Sequence, residues 1–123
     1  MKDAIMCPHT ECYFDYDQGL REDPAAYPWF SCLLPLERVY AFDPLAGIPP
    51  EQTVRILGAE CCNWTEFTCN ETELQWKMWP RTCALAEVLW TGSRRPGHAD
   101  FASRMKIHRK RLLAAKVNCA TIE

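Results

Sequence analysis

Two continuous apolar runs and three helically spaced ones, separated by proline- and glycine-rich breaks, set the expected order of elements along this chain. The first run, 3–7, is a short buried-strand candidate around Ala4, Ile5 and Met6, ended by Pro8, which has no N–H to give a sheet ladder. A polar exit follows, and 13–19 carries alternating aromatics and acids before stopping at Gly19. Pro24, Pro28 and Pro35 make 21–35 an irregular loop, and 36–42 has room for about two helical turns before Asp43 and Pro44. Pro49 and Pro50 ahead of Glu51 mark a helix start, and a brief helix there leads into a second strand at 54–62. From 70 to 90 the pattern is helical, with Asn70 or Thr72 as cap, Glu71 and Glu73 at the positive end of the dipole, and Leu74, Met78, Leu85 and Leu89 near one stripe. Pro80 removes one backbone donor inside it, so a kink or a second helix is expected there. After a break at 92–97, residues 100–116 form a last amphipathic helix with Phe101, Met105, Leu112 and Leu113 turned inward.

Strand, loop, short helix, strand, long helix, helix is a βαβα order. Strands joined by such crossovers are parallel neighbours with helices packed outside, so the fold class is α/β, either an open sheet or a piece of a (β/α)8 barrel.

Composition narrows this picture without redirecting it. With 123 residues, 48% of them hydrophobic, and a net charge of -2, the chain fits one globular unit with a modest core. The late cluster of Lys and Arg alternates with Met105, Ile107, Leu112 and Leu113 at helical spacing, which reads as a solvated helix face and not a nucleic-acid patch. No apolar stretch approaches the roughly 20 residues that cross a bilayer, and the first eight residues lack the h-region of a secretory signal. Eight cysteines are many for this length, but Cys83 lies in a helical pattern and Cys61 and Cys62 at a strand exit, where cysteine serves as a small apolar residue. No C-x-x-C occurs, and Cys7, His9 and Cys12 make the one tight cluster with metal-ligand chemistry, so no metal or cofactor is expected. The sequons at Asn63 and Asn70 decide nothing.

Chemistry concentrates at the two strand exits, where α/β folds place functional residues. Tyr13 and Asp15 follow the first strand; Trp64 and Glu66 follow the second. Each pair has a spacing of two, which turns both side chains to one face if the chain is still extended. An aromatic plane beside a carboxylate suits a sugar, whose C–H face packs on a ring while its hydroxyls bond to carboxylates and phenols. The same residues also fit a plainer reading, with Trp64 in the core and Glu66 a solvated loop acid.

The residues then carry a family resemblance. "ILGAECCNWTEF" followed by "MWPRTCALAEVLWTG" resembles the last strand and last barrel helix of glycoside hydrolase family 20, the β-N-acetylhexosaminidases. "CYFDYDQG" and "LPLERVYAFDP" resemble the preceding strand exit and its sequel in bacterial members. The resemblance runs over about 3–119, and W-x-E with a downstream W-P-R-x-x-A-x-A-E is a specific combination. It implies a (β/α)8 barrel of which this chain is the C-terminal part, roughly the last two β/α units plus a final helix, as a single unit over 1–123. It also implies a retaining hydrolase of terminal N-acetylglucosamine or N-acetylgalactosamine, in which the substrate's own acetamido oxygen is the nucleophile. Carried over by residue, Tyr13 holds the acetamido group, Asp15 and Glu66 bind outer hydroxyls, and Trp64 forms part of the aromatic wall. The family's catalytic Asp-Glu pair, its sugar-clamping arginine and the remaining wall tryptophans match no segment here, so the chain alone is expected to be inactive and to need the missing N-terminal part of the barrel. In the full-length protein the resemblance implies a periplasmic, secreted or lysosomal setting.

Two strands without their barrel leave an unpaired edge, an uncovered apolar face and sticky Trp76, Trp79 and Trp90. Two competing functions stand beside the enzymatic one: a non-catalytic carbohydrate-binding or interaction remnant using the Trp64 face, and a metal or redox module built on Cys7, His9 and Cys12.

Overall fold

Residues 2–19 and 32–122 are described in a computed structural model of the chain. Strand β1 (Ala4–Met6) pairs in parallel with β2 (Ile56–Ala59), joining Ala4 to Ile56, Ile5 to Gly58 and Met6 to Ala59. Leu57 is thus an extra residue on β2, and Gly58 absorbs the bulge at φ 150, a conformation that suits a residue without Cβ. The parallel pairing is the one the βα order predicts. Beyond the strands the same ladder continues as an isolated parallel bridge from Tyr13 to Cys62.

Both strands are shorter than the apolar runs that announced them. Val54 and Arg55 belong to a 3-10 helix (Pro50–Arg55) because the prolines that open it hold the chain helical until Ile56. After Pro8 the exit winds into a one-turn helix, α1 (His9–Cys12), where sequence reading gave only a polar stretch. Helix α2 (Leu36–Ala41) lies where expected; most of the 21–35 loop ahead of it falls outside the described residues.

The long helical pattern at 70–90 divides at Pro80, as one of its two expected outcomes. Helix α3 (Glu71–Met78) is capped by Asn70, whose side-chain oxygen accepts from the Glu73 N–H at 2.9 Å. The Trp79–Pro80 peptide is cis, and α4 (Arg81–Thr91) begins at the next residue and ends at Gly92, φ 60. Helix α5 (His98–Ala114) completes the order. Phe101 and Met105 are buried as expected, but Leu113 is 43% exposed. At about 100° per residue, Leu113 lies roughly 120° around α5 from Phe101, outside the inward stripe.

The core sits among the helices and the exit segments, not on the sheet. Val39 and Tyr40 of α2 pack with Ala84, Leu85 and Val88 of α4 and with Phe101 and Met105 of α5, and Phe14 and Leu34 close it from the loops. Tyr40 stacks on Phe101 with centroids 4.4 Å apart. Its hydroxyl lies 2.8 Å from both Glu87 Oε1 and the Pro96 carbonyl. Of the strands' apolar side chains, Met6 and Ala59 pack against this core, while Ile5 and Leu57 are exposed, as is Val54 in the 3-10 helix before β2. Of the three tryptophans expected to be exposed, only Trp90 is; Trp76 and Trp79 are half-buried against the C-terminal segment, where the Ala120 N–H donates to the Trp79 carbonyl at 3.1 Å.

Arg104 clamps the far side, donating to both oxygens of Glu87 at 2.7 and 2.8 Å and to Asp100 at 2.7 Å. Arg104, and after it the Tyr40 hydroxyl, hold the Glu87 carboxyl below its ordinary 4.5. Stability from a lowered carboxyl is complete above the ordinary value and drains away as pH falls through the native one. Glu87→Gln is therefore expected to cost about 1 kcal/mol at neutral pH, a modest figure because Arg104 is half in water. Thermal unfolding followed from pH 7 to pH 3 should show the wild-type and variant curves converging at the acid end.

Candidate functional site

The two exits are laced together by backbone before any side chain acts. The Phe14 N–H donates to the Cys62 carbonyl at 2.7 Å and the Cys62 N–H to the Cys12 carbonyl at 3.0 Å. Asn63 Nδ2 adds a bond of 3.2 Å to the Phe14 carbonyl, and Asn63 Oδ1 accepts from the Thr68 hydroxyl at 3.0 Å. This lacing sets Tyr13 beside Trp64, with ring centroids 6.2 Å apart and planes inclined by 58°.

The four residues singled out from sequence do not lie alike. Tyr13 is half-buried and Trp64 is 53% exposed, so the pair presents an open aromatic face. Asp15 is 5% exposed, and its Oδ1 is buried with no hydrogen-bond partner among the described residues. Glu66 is exposed and makes no hydrogen bond or ion pair with a described residue. The period-two argument that grouped them fails locally: residues 13–16 form a turn closed by the Tyr16 N–H on the Tyr13 carbonyl at 3.3 Å, and Trp64 caps a 3-10 helix (Thr65–Phe67). Tyr13 and Trp64 are neighbours because their backbones bridge across the strand pair, not because each exit is extended.

Sequence reading missed the rest of the aromatic face. Tyr16 lies 6.0 Å from Tyr13, and His9 lies 6.1 Å from Tyr13 and 6.2 Å from Tyr16, ring centre to ring centre. Tyr16 Oη and His9 Nδ1 share a hydrogen bond of 3.1 Å. Burial, then the neighbouring Cys32, push the Tyr16 phenol up from its ordinary value, so it stays protonated at neutral pH. The one-turn helix α1 brings His9 here, and its four-residue spacing from Tyr13 was the available signal. His9 is thus engaged with tyrosines, and among the described residues no three of His, Cys, Asp and Glu converge where a metal ion could sit. A hollow of about 1240 Å³, lined in part by Gln18, Trp76 and Asn118, includes none of the four residues.

Two buried cations hold this face from behind. Arg81, at the start of α4, has no exposed surface and donates to the carbonyls of Leu34 at 3.0 Å, Phe14 at 2.7 Å and Lys77 at 3.0 Å, while its guanidinium lies 4.7 Å from the Phe14 ring centre. Burial pulls Arg81 down to about 9, against the upward pull of the Asp17 and Asp15 carboxylates, and it is charged at neutral pH. Lys77, equally buried, donates to the Phe67 carbonyl and lies 3.3 Å from the Thr68 hydroxyl, fixing the second exit to α3.

With this geometry in view, comparison with known proteins identifies the line of descent. The profile described as glycosyl hydrolase family 20, catalytic domain, matches residues 2–93. The chain belongs to glycosyl hydrolase family 20. A β-hexosaminidase of Porphyromonas gingivalis is 34% identical over 106 residues, spanning 84% of this chain and 13% of that protein. A β-N-acetylhexosaminidase of Cellulomonas fimi is 33% identical over 108 residues, spanning 85% of this chain and 21% of its own length. Among solved structures, the family 20 exo-β-N-acetylglucosaminidase of Vibrio harveyi, in complex with N-acetylglucosamine, superposes with a TM-score of 0.78 at 29% identity, covering 97% of this chain and 19% of that one. The Streptomyces coelicolor β-N-acetylhexosaminidase, at 21% identity and a TM-score of 0.79, supports the fold. The chain, a small α/β unit with a two-stranded parallel sheet among its described residues, superposes on part of these family 20 enzymes and spans between 13% and 24% of the length of each protein named here.

Arg81→Met should take the guanidinium donor from three carbonyls, of which that of Phe14 keeps Asn63, and cost about 3 kcal/mol, seen as a lowered urea midpoint. Arg81→Lys should recover little, because one ammonium cannot reach three carbonyls on three elements in the planar geometry of a guanidinium.

Proposed function

We propose that this chain forms part of the substrate-binding wall of a β-N-acetylhexosaminidase barrel, contributing its last two β/α units and the helix that follows. The observation that carries the reading is the Tyr13–Trp64 ring pair, 6.2 Å apart on adjacent parallel-strand exits, with the buried Asp15 Oδ1 near in sequence and without a hydrogen-bond partner among the described residues. A terminal N-acetylhexosamine supplies what such a face lacks: C–H groups to pack on Trp64, and a donor for the buried Asp15 Oδ1, which has no hydrogen-bond partner among the described residues. Tyr13 presents its phenol to the acetamido group, holding the carbonyl oxygen for attack on the anomeric carbon. Asp15 and Glu66 accept from ring hydroxyls.

In this reading the chain does not protonate the leaving oxygen. Asp15 and Glu66 are assigned to hydroxyls, and the family's Asp-Glu pair matches no segment of the 123 residues, so the acid comes from elsewhere in the barrel. The exposed Ile5 and Leu57 are consistent with strands that expect neighbours. The exposure of Trp64 also suits a binding face without catalysis, and activity measurements separate the two readings.

The purified chain is expected to show no turnover of an aryl N-acetylglucosaminide, and reproducible hydrolysis by the chain alone would contradict the assignment of the acid. Within a complete family 20 barrel carrying these residues, Tyr13→Phe should lower kcat about 100-fold with little change in KM. Trp64→Ala should raise KM about 10-fold and lower kcat as well, since stacking acts in both ground and transition states. An unaltered kcat in Tyr13→Phe would remove the acetamido role; a barrel that binds the sugar but never turns it over would favour the non-catalytic reading.

A further inference from the structure

We propose that Cys7 and Cys62 are a dithiol pair that closes to a reversible disulfide, stapling the exit of β1 to the exit of β2. Their Sγ atoms lie 4.0 Å apart although the residues are 55 positions apart in sequence. An S–S bond is about 2.05 Å long, so closure needs the two sulfurs to approach by about 2 Å. The backbone around both is already paired: the Glu60 N–H donates to the Met6 carbonyl at 3.0 Å, and Cys62 bridges to Tyr13. Both thiols are half-buried, open enough for a small solute, whereas Cys12 beside them has no exposed surface. This pairing differs from the one the local sequence cluster invites, Cys7 with Cys12, because α1 carries Cys12 into the core while the parallel ladder carries Cys62 across to Cys7.

The chemistry is thiol–disulfide exchange with a low-molecular-weight disulfide as oxidant. The Cys7 sulfur, as thiolate, attacks one sulfur of that disulfide, forming a mixed disulfide and releasing the first small thiolate. Cys62 then loses its proton to solvent and attacks the Cys7 sulfur, forming the Cys7–Cys62 bond and releasing the second small thiolate. The protein dithiol is oxidised by two electrons and the small disulfide reduced to two thiols. Burial, then the adjacent Cys7, push the Cys62 thiol up to about 12, so Cys7 is the first sulfur to attack, and the part of the shift due to Cys7 is relieved once Cys7 is held in the mixed disulfide. The staple lies directly under Tyr13 and two residues from Trp64, so its formation would fix the spacing of the aromatic pair. It stands on sulfur geometry and holds whether or not that face binds a sugar.

The test is to incubate the full chain with oxidised glutathione at neutral pH, quench with acid, alkylate with iodoacetamide and map peptides by mass. A linked peptide pair joining Cys7 to Cys62, reversed by dithiothreitol, is expected, with both residues missing from the alkylated set. Cys62→Ser should stop the reaction one step earlier, leaving glutathione on Cys7. Wild-type chain in which both residues are alkylated, each carries glutathione, or either is joined to Cys12 or Cys61 would overturn the proposal.

Discussion

Arg81 is the constraint on which the arrangement of this chain depends. A guanidinium without exposed surface has given up its hydration, and the loss is offset here by donors directed at carbonyls of Phe14, Leu34 and Lys77 and by the face of the Phe14 ring. Those carbonyls belong to the exit of β1, the approach to α2 and the end of α3. The Phe14 carbonyl has a second donor in Asn63, and Arg81 is the side chain whose bonds reach all three. Asp15 and Asp17 supply the opposing charge, which ties a residue of the aromatic face to the same cation that fixes its backbone. One side chain thereby sets both the fold of the exit and the electrostatics beneath it.

Lys77 plays the matching part for the second exit. It is one turn before Arg81, buried to the same degree, and its ammonium reaches Phe67 and Thr68 while Thr68 bonds to Asn63, which in turn bonds to Phe14. The chain from α3 through Thr68 and Asn63 to Phe14 closes a loop with the Arg81 contacts, so the Tyr13–Trp64 spacing is held from both sides. Long cationic side chains suit this work because their stems pack with apolar neighbours while their heads reach loop carbonyls.

Much of the fold was legible because its signals are local. The Asn70 cap, the break at Pro80 and the end at Gly92 each follow from the chemistry of one residue, and the parallel pairing follows from the βα order. The candidate site was legible only in its membership. Tyr13 and Trp64 could be picked as neighbours, and their rings do lie side by side, but the argument from extended spacing was wrong, since turn and 3-10 geometry replace strand at both exits. His9 was read only as a metal-ligand candidate and Tyr16 only as one of a run of aromatics, because a four-residue helix after Pro8 gives no more than one turn of spacing to place His9 beside Tyr13. Arg81 stood in a recognised motif with no role attached, because an arginine that bonds to backbone carbonyls from three elements has no pairwise sequence signature.

The distribution of burial gives a reason for this division of labour. The sheet is two short strands whose Ile5 and Leu57 face solvent, while the apolar core lies among α2, α4, α5 and the exit segments. A strand pair this small contributes little stability by itself. The exits are held instead by side chains from α3 and α4, which belong to the better-packed part of the molecule, so strand and helix carry different obligations: β1 and β2 set which residues become neighbours, and Arg81 and Lys77 set how firmly. It follows that a substitution in the strands that preserves their pairing should disturb the aromatic face less than one at Arg81, even though the strands are closer to it in sequence.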